Sequence, residues 1–152
     1  MKIYYRILYF FLRIYWLIRR PVIVGVRVFM VKDGKLLLVK HSYQDLWFLP
    51  GGGVKRGETI EEAVRREARE EVGAKLGDVK LFGIFTNVAE GKSDHIVVFT
   101  CSSFEIHANK SGEIEDCKFF AFDNLPENIS PGQKRRIEEY QQGIECPGYG
   151  NW

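Results

Sequence analysis

The apolar residues of this chain fall into blocks with two different periods. Residues 22 to 31, VIVGVRVFMV, are apolar nearly throughout and rich in valine, which reads as a strand. Asp33-Gly34 supplies a turn, and KLLLVK at 35 to 40 continues as the second arm of a hairpin. A short apolar piece, Leu46 to Leu49, runs into Pro50 and three glycines. Residues 79 to 89 and 95 to 104 read as strands separated by the polar Glu90-Gly91-Lys92-Ser93, and CKFFAF at 117 to 122 as another. Thr59 to Val72 changes to helical spacing. A closing helix is expected after Ser130, the N-cap, with Pro131 at its first position and a stop near Gly143. Strands that enclose one helix and precede a second predict an α/β fold, a mixed sheet sandwiched between helices.

The first twenty residues follow a third pattern. They are aromatic and aliphatic with no acid, and Lys2, Arg6, Tyr9, Arg13, Trp16 and Arg20 fall on one helical stripe. This predicts an amphipathic helix over 1–20. A helix from Ile3 to Ile18 would reach about 24 Å, short of a roughly 30 Å hydrocarbon layer, and Arg6 and Arg13 disfavour a span. No small-residue cleavage site follows, so a secretory signal is not expected. The helix is left with peripheral contact at a membrane surface, or packing on its own domain or on a second subunit. The expected division is 1–20 for this helix, 21–145 for the folded domain and 146–152 for a C-terminal tail.

The segment 59–72 carries the chemistry. Thr59-Ile60-Glu61-Glu62 is a capping box, and Gly73 is a plausible C-terminal stop. With Ile60 at zero on a wheel of about 100° per residue, Val64 falls near 40° and Ala68 near 80°. Glu71 and Glu67 land inside that apolar arc, near 20° and −20°, and Glu70 at its edge. Glu62, Arg65, Arg66 and Arg69 fall on the side expected to face solvent. A carboxylate taken from water without a partner costs several kcal/mol. A hard divalent cation would relieve the inward pair, since Mg²⁺ takes a few carboxylates plus waters and phosphates. Salt bridges to nearby arginines, or a misjudged helix face, are the alternatives. The glycines just before allow backbone to approach a ligand closely.

Composition narrows the rest. The chain has 152 residues, 45% hydrophobic and 28% charged, enough for one globular domain with an ordinary core. A net charge of +2 is too small to argue for nucleic acid. Cys101, Cys117 and Cys146 form no CxxC pair and no metal spacing, which suits a reducing, cytoplasmic compartment. Cys101 and Cys117 read as small core residues.

Residues 52 to 74 resemble the Nudix box: Gly, five residues, Glu, seven residues, Arg-Glu, an aliphatic, any residue, Glu-Glu, any residue, Gly, an aliphatic. Here these are Gly52, Glu58, Arg66, Glu67, Ala68, Glu70, Glu71, Gly73 and Ala74. Ala68 and Ala74 are smaller than the family's usual aliphatics. The resemblance implies an α/β/α sandwich around a mixed sheet, here with the extra N-terminal helix. It implies hydrolysis of a diphosphate linkage in a nucleoside diphosphate derivative, with Mg²⁺ (or Mn²⁺) as cofactor. By position it implies Glu67 and Glu71 as principal metal ligands, Glu70 as a further ligand or catalytic base, the Gly51 carbonyl as a backbone ligand, and an Arg66–Glu58 pair holding the loop to the helix. A glutamate outside the box that activates water has two candidates, Glu113 and Glu115.

Substrate contacts are less specified. Arg27 interrupts an apolar strand and is a candidate phosphate contact, or a charge paired with a neighbouring acid. His41 and His95, and the aromatics Trp47, Phe48, Phe82 and Phe85, are further candidates, although strand aromatics are more often core. The expected partner is a small nucleotide derivative, with an RNA 5′ end still within range. Two other readings compete: a Nudix fold that binds a nucleotide without cleaving it, and a membrane-surface protein acting on a lipid-linked diphosphate.

Overall fold

A computed structural model describes residues 10–11, 14–15, 18, 22–89, 92–107, 112–144 and 148–152. Strand β1, Val22–Lys32, turns at Asp33 and Gly34, both with positive φ, into β2, Lys35–His41. Then come β3, Trp47–Phe48, helix α1, Ile60–Val72, and β4, Ala74–Leu76. The long hairpin of β5, Lys80–Ala89, and β6, Lys92–Cys101, precedes β7, Phe104–Ile106, and β8, Ile114–Ala121. Helix α2, Pro131–Gln141, and β9, Gly148–Asn151, complete the fold.

The main sheet runs β3-β2-β1-β6-β5-β9, with β8 also paired to β2. It is mixed, because β1–β6 and β5–β9 are parallel and the other pairs antiparallel. Both faces of β1 and β2 are covered, which explains their continuous apolar runs. Val26, Val28, Met30, Leu37 and Val39 face one core with Ala63, Val64, Ala68 and Val72 of α1. Phe29, Leu36 and Leu38 face the other with Ile137 of α2. The result is an α/β/α sandwich around a mixed sheet.

Several expectations change. Residues 148–151 are not a tail but a strand on β5, and Trp152 closes the second core against Gly132, where a Cβ would come within 2.2 Å of its indole nitrogen. A four-residue strand with two glycines carries no period to read. Strands β4 and β7 pair only with each other, three residues each, and escape for the same reason. Ser130 precedes α2 as expected but makes no side-chain capping bond. Cys101 is buried, whereas Cys117 is exposed; Cys146 lies outside the described residues. The expected 1–20 helix also lies mostly outside them; Phe10, Phe11, Ile14, Tyr15 and Ile18 are helical and exposed. Among the described residues no helix is long and apolar enough to cross a membrane.

The glycine run is pinned along the middle of β1. Val26 N–H donates to the Gly52 carbonyl at 2.9 Å, Val28 N–H to Pro50 at 3.0 Å, and Val54 N–H to Val24 at 2.9 Å. Gly51 has φ 141°, and a Cβ there would lie 2.1 Å from the Val26 carbonyl oxygen. Only glycine fits. Gly51→Ala is therefore expected to destabilise the fold by about 2 kcal/mol or more, while Gly53→Ala, whose Cβ would meet nothing within 4 Å, changes it by less than ~0.5 kcal/mol. Urea unfolding of the two variants side by side checks this.

Candidate active site

Helix α1 is held at both ends. Thr59 accepts from Glu62 N–H at 3.2 Å while the Glu62 carboxylate accepts from Thr59 N–H at 2.8 Å, a complete capping box. Gly73 closes the helix in the left-handed conformation. Its buried stripe is Ala63, Val64, Ala68 and Val72; Ile60, the origin of the wheel, is itself exposed at the first turn. Along that stripe Glu67 and Glu71 reach toward the glycine loop, with side chains 14% and 10% exposed. Glu70 is 49% exposed.

Each inward carboxylate has a specific seat. Glu71 Oε2 accepts from Gly51 N–H at 2.8 Å. Glu67 lies beneath Gly52, where a Cβ would come within 2.6 Å of its Oε1. The Arg27 guanidinium donates to the Gly51 carbonyl, beside both glutamates. Gly51 thus offers its N–H to one site carboxylate and its carbonyl to the site cation. That carbonyl keeps a second lone pair.

Arg66 departs from the wheel. Its side chain is only 12% exposed, because its long stem folds back from the outer face of α1. It makes a two-pronged pair with Glu58 at 2.7 and 3.0 Å, and also reaches Glu67 at 2.7 Å, Glu70 at 3.1 Å and the Gly53 carbonyl at 3.0 Å. Lys55 N–H adds a third bond to Glu58 at 3.0 Å. Arg66 first, then this N–H, hold the Glu58 carboxyl down to about 2. One guanidinium therefore ties the loop to the helix and takes up part of the crowded negative charge.

Glu71 shifts the opposite way. Burial pushes its carboxyl up to about 7, assisted by the charges of Glu67 and Glu113 and opposed by the Gly51 N–H and Arg27. His41 Nε2 lies 3.8 Å from Glu71 Oε1. Burial first, then Arg27, lower the His41 pKa, so at neutral pH this contact is not an ion pair. Among the described residues the buried His41 Nδ1 has no hydrogen-bond partner.

The remaining candidates separate. Glu113, just before β8, lies close enough for its charge to act on Glu71, His41 and Tyr43, and its carbonyl accepts from Ser42 N–H at 3.0 Å. Glu115 instead lies 3.9 Å from Lys40. Trp47 is a core residue, 8% exposed and edge-on to Phe120. Phe82 and Phe85 are buried in the same core, and His95 pairs with Thr86 at 3.1 Å. Phe48 touches His41 edge-on. Tyr43, which sequence reasoning passed over, stacks on His41 and is 67% exposed. An aromatic in a polar turn was its only signal.

Two predictions follow from these charges. The folded pKa of Glu71 lies above its ordinary value of 4.5. The metal-free protein therefore loses stability from this group as pH rises from 4.5 through about 7, by on the order of 3 kcal/mol. Glu71→Gln should remove that decline, read as the difference between wild-type and variant thermal midpoints from pH 5 to 8. Replacing Arg66 by Met should lower the midpoint at neutral pH and leave a looser glycine loop, read as faster amide exchange at Gly52 and Gly53.

A NUDIX domain family model matches residues 19–140. The chain is 30% identical over 124 residues to an ADP-ribose pyrophosphatase of Methanocaldococcus jannaschii, covering 78% of this chain and 73% of that one. It is 47% identical over 60 residues to an RNA pyrophosphohydrolase of Hydrogenovibrio crunogenus, covering 40% of this chain and 36% of the relative. Among solved structures, the MutT NUDIX hydrolase of Burkholderia pseudomallei superposes with a TM-score of 0.70 at 30% identity, covering 78% of this chain and 97% of that one. With a sandwich of the same architecture and a family match over most of its length, the chain belongs to the Nudix hydrolase family.

Proposed function

We propose that this hydrolase cleaves a diphosphate linkage in a nucleoside diphosphate derivative and depends on Mg²⁺, with Mn²⁺ as a substitute. The observation that carries this reading is the pair Glu67 and Glu71, turned inward beneath an open glycine loop. A carboxyl that burial drives to about 7 is one that a cation would restore to its ionised form. The donors are all hard oxygens, which suits Mg²⁺. Among the described residues no group of three or more His, Cys, Asp or Glu is placed to hold a metal ion, and Mg²⁺ can be held by fewer carboxylates when waters and phosphates complete its shell. Glu67 and Glu71 would hold the ion, with Glu70 on the exposed side as a third ligand or as proton acceptor. When bound, Mg²⁺ would offset phosphate charge and acidify a water.

The chain's own groups supply the rest. Arg27 and the Gly51 N–H fix the loop and the Glu71 carboxylate relative to each other, so the site is set before substrate arrives. Arg66 holds Glu67 and Glu70 at one end of the cleft. A carboxylate must take the proton of the attacking water. Glu70 is exposed beside Lys55 at 3.9 Å, and Glu113, just before β8, is near enough for its charge to act on Glu71; these are the candidates for that task.

One relative is named for ADP-ribose and another for RNA, so the test panel spans nucleoside triphosphates, sugar nucleotides, dinucleotides and 5′-triphosphorylated RNA. Turnover of at least one of these with Mg²⁺, identified by product mass, is expected. Glu71→Gln should lower it ~10²-fold or more without lowering the thermal midpoint. Absence of turnover across the panel with either cation, in a protein that still binds nucleotide, would favour the non-catalytic reading. Mg²⁺ affinity should also fall with pH below about 7, where a proton occupies Glu71.

A further inference from the structure

Tyr43 occupies the tip of the turn between β2 and β3. Its ring lies on His41 with centroids 5.2 Å apart and planes 26° from parallel. His41 in turn touches Glu71 at 3.8 Å and meets Phe48 edge-on. One face of the tyrosine ring is therefore committed to an imidazole beside the carboxylates, while the residue as a whole is 67% exposed. Partial burial, then the charges of Glu113 and Glu71, raise the pKa of its hydroxyl, against the charge of Arg27. The phenol thus lies within the electrostatic field of the site.

The turn is tied down on several sides. Ser42 N–H donates to the Glu113 carbonyl at 3.0 Å, and Gln44 N–H to the His41 carbonyl at 3.3 Å. The Asn128 side-chain amide donates to the Asp45 carbonyl at 2.8 Å, and Lys40 pairs with Asp45 at 2.7 Å. A ring on a braced turn, backed by a second aromatic plane, loses little freedom when a flat group settles on it. Of the other exposed aromatics among the described residues, Tyr149 lies on edge strand β9, Phe119 on β8 stacks on Phe104, and Phe10, Phe11 and Tyr15 belong to the N-terminal helical residues.

We infer that Tyr43 is the stacking platform for the nucleobase of the substrate, holding it while the diphosphate lies at Glu67 and Glu71. This rests on the proposed reading of the site as one that binds a nucleoside diphosphate derivative. Stacking uses the π-face common to all bases, so the platform selects for a base over none and discriminates weakly among bases. The phenol ring, not its hydroxyl, carries the effect.

Binding measured by calorimetry tests this without turnover, using ADP and UDP as probes with a base and inorganic pyrophosphate as the probe without one, each with Ca²⁺. Tyr43→Ala and Tyr43→Leu should weaken both nucleotides about tenfold and leave pyrophosphate within about twofold. Tyr43→Phe should bind all three as wild type does. Tyr43→Leu keeps His41 covered, so its loss reports the missing π-face. Equal weakening of pyrophosphate and nucleotides overturns the proposal, as do unchanged nucleotide affinities in Tyr43→Ala, or a wild type that binds pyrophosphate but no nucleotide more tightly. A protein that stacks bases at Tyr43 yet hydrolyses nothing in the substrate panel keeps this inference and loses the hydrolase mechanism.

Discussion

The structure depends on a carboxylate buried against a backbone loop. Glu71 reaches out of α1 to the Gly51 N–H, and Arg27 reaches out of β1 to the carbonyl of the same glycine. Helix, loop and strand thus converge on one peptide unit. The loop can lie there because Gly51 adopts a conformation and a closeness to β1 that a Cβ would forbid. Without a cation this arrangement is unfavourable for an ionised Glu71.

Two carboxyls, one in the loop before α1 and one on the helix itself, are handled in opposite ways. Glu58 is driven strongly acidic by Arg66 and a backbone donor, so it stays ionised and structural. Glu71, under burial, is driven toward its neutral form. Neighbouring carboxyls whose environments push them apart in this way are a common feature of sites that need one fixed charge and one exchangeable one. Glu67 lies between them, bonded to Arg66 on one side and set beneath Gly52 on the other.

Much of this was legible from the amino acids. The capping box, the Gly73 stop, the Asp33-Gly34 hairpin and the inward facing of Glu67 and Glu71 all follow from local rules that the fold does not override. What could not be read depends on long-range contact or on side-chain length. Arg66 projects from the outer face by angle but returns inward because its stem spans the distance to Glu58. Trp47 was a candidate substrate contact beside the glycines, and β3 carries it into the second core against Phe120. The strand β9 exists only because β5 offers it an edge. Tyr43 looks like an ordinary turn residue until the fold brings His41 and Glu71 beside it.

The most direct test of the central claim is a pH titration of the glutamate side-chain carboxyl carbons by NMR in the metal-free protein, with Glu71→Gln to assign the resonance. Glu71 is expected to titrate at about 7, with Glu58 at about 2 in the same spectra, and Mg²⁺ should abolish the Glu71 titration across neutral pH. A Glu71 midpoint near the ordinary 4.5, unmoved by Mg²⁺, would contradict it and show that this carboxylate is neither buried as described nor poised for a cation.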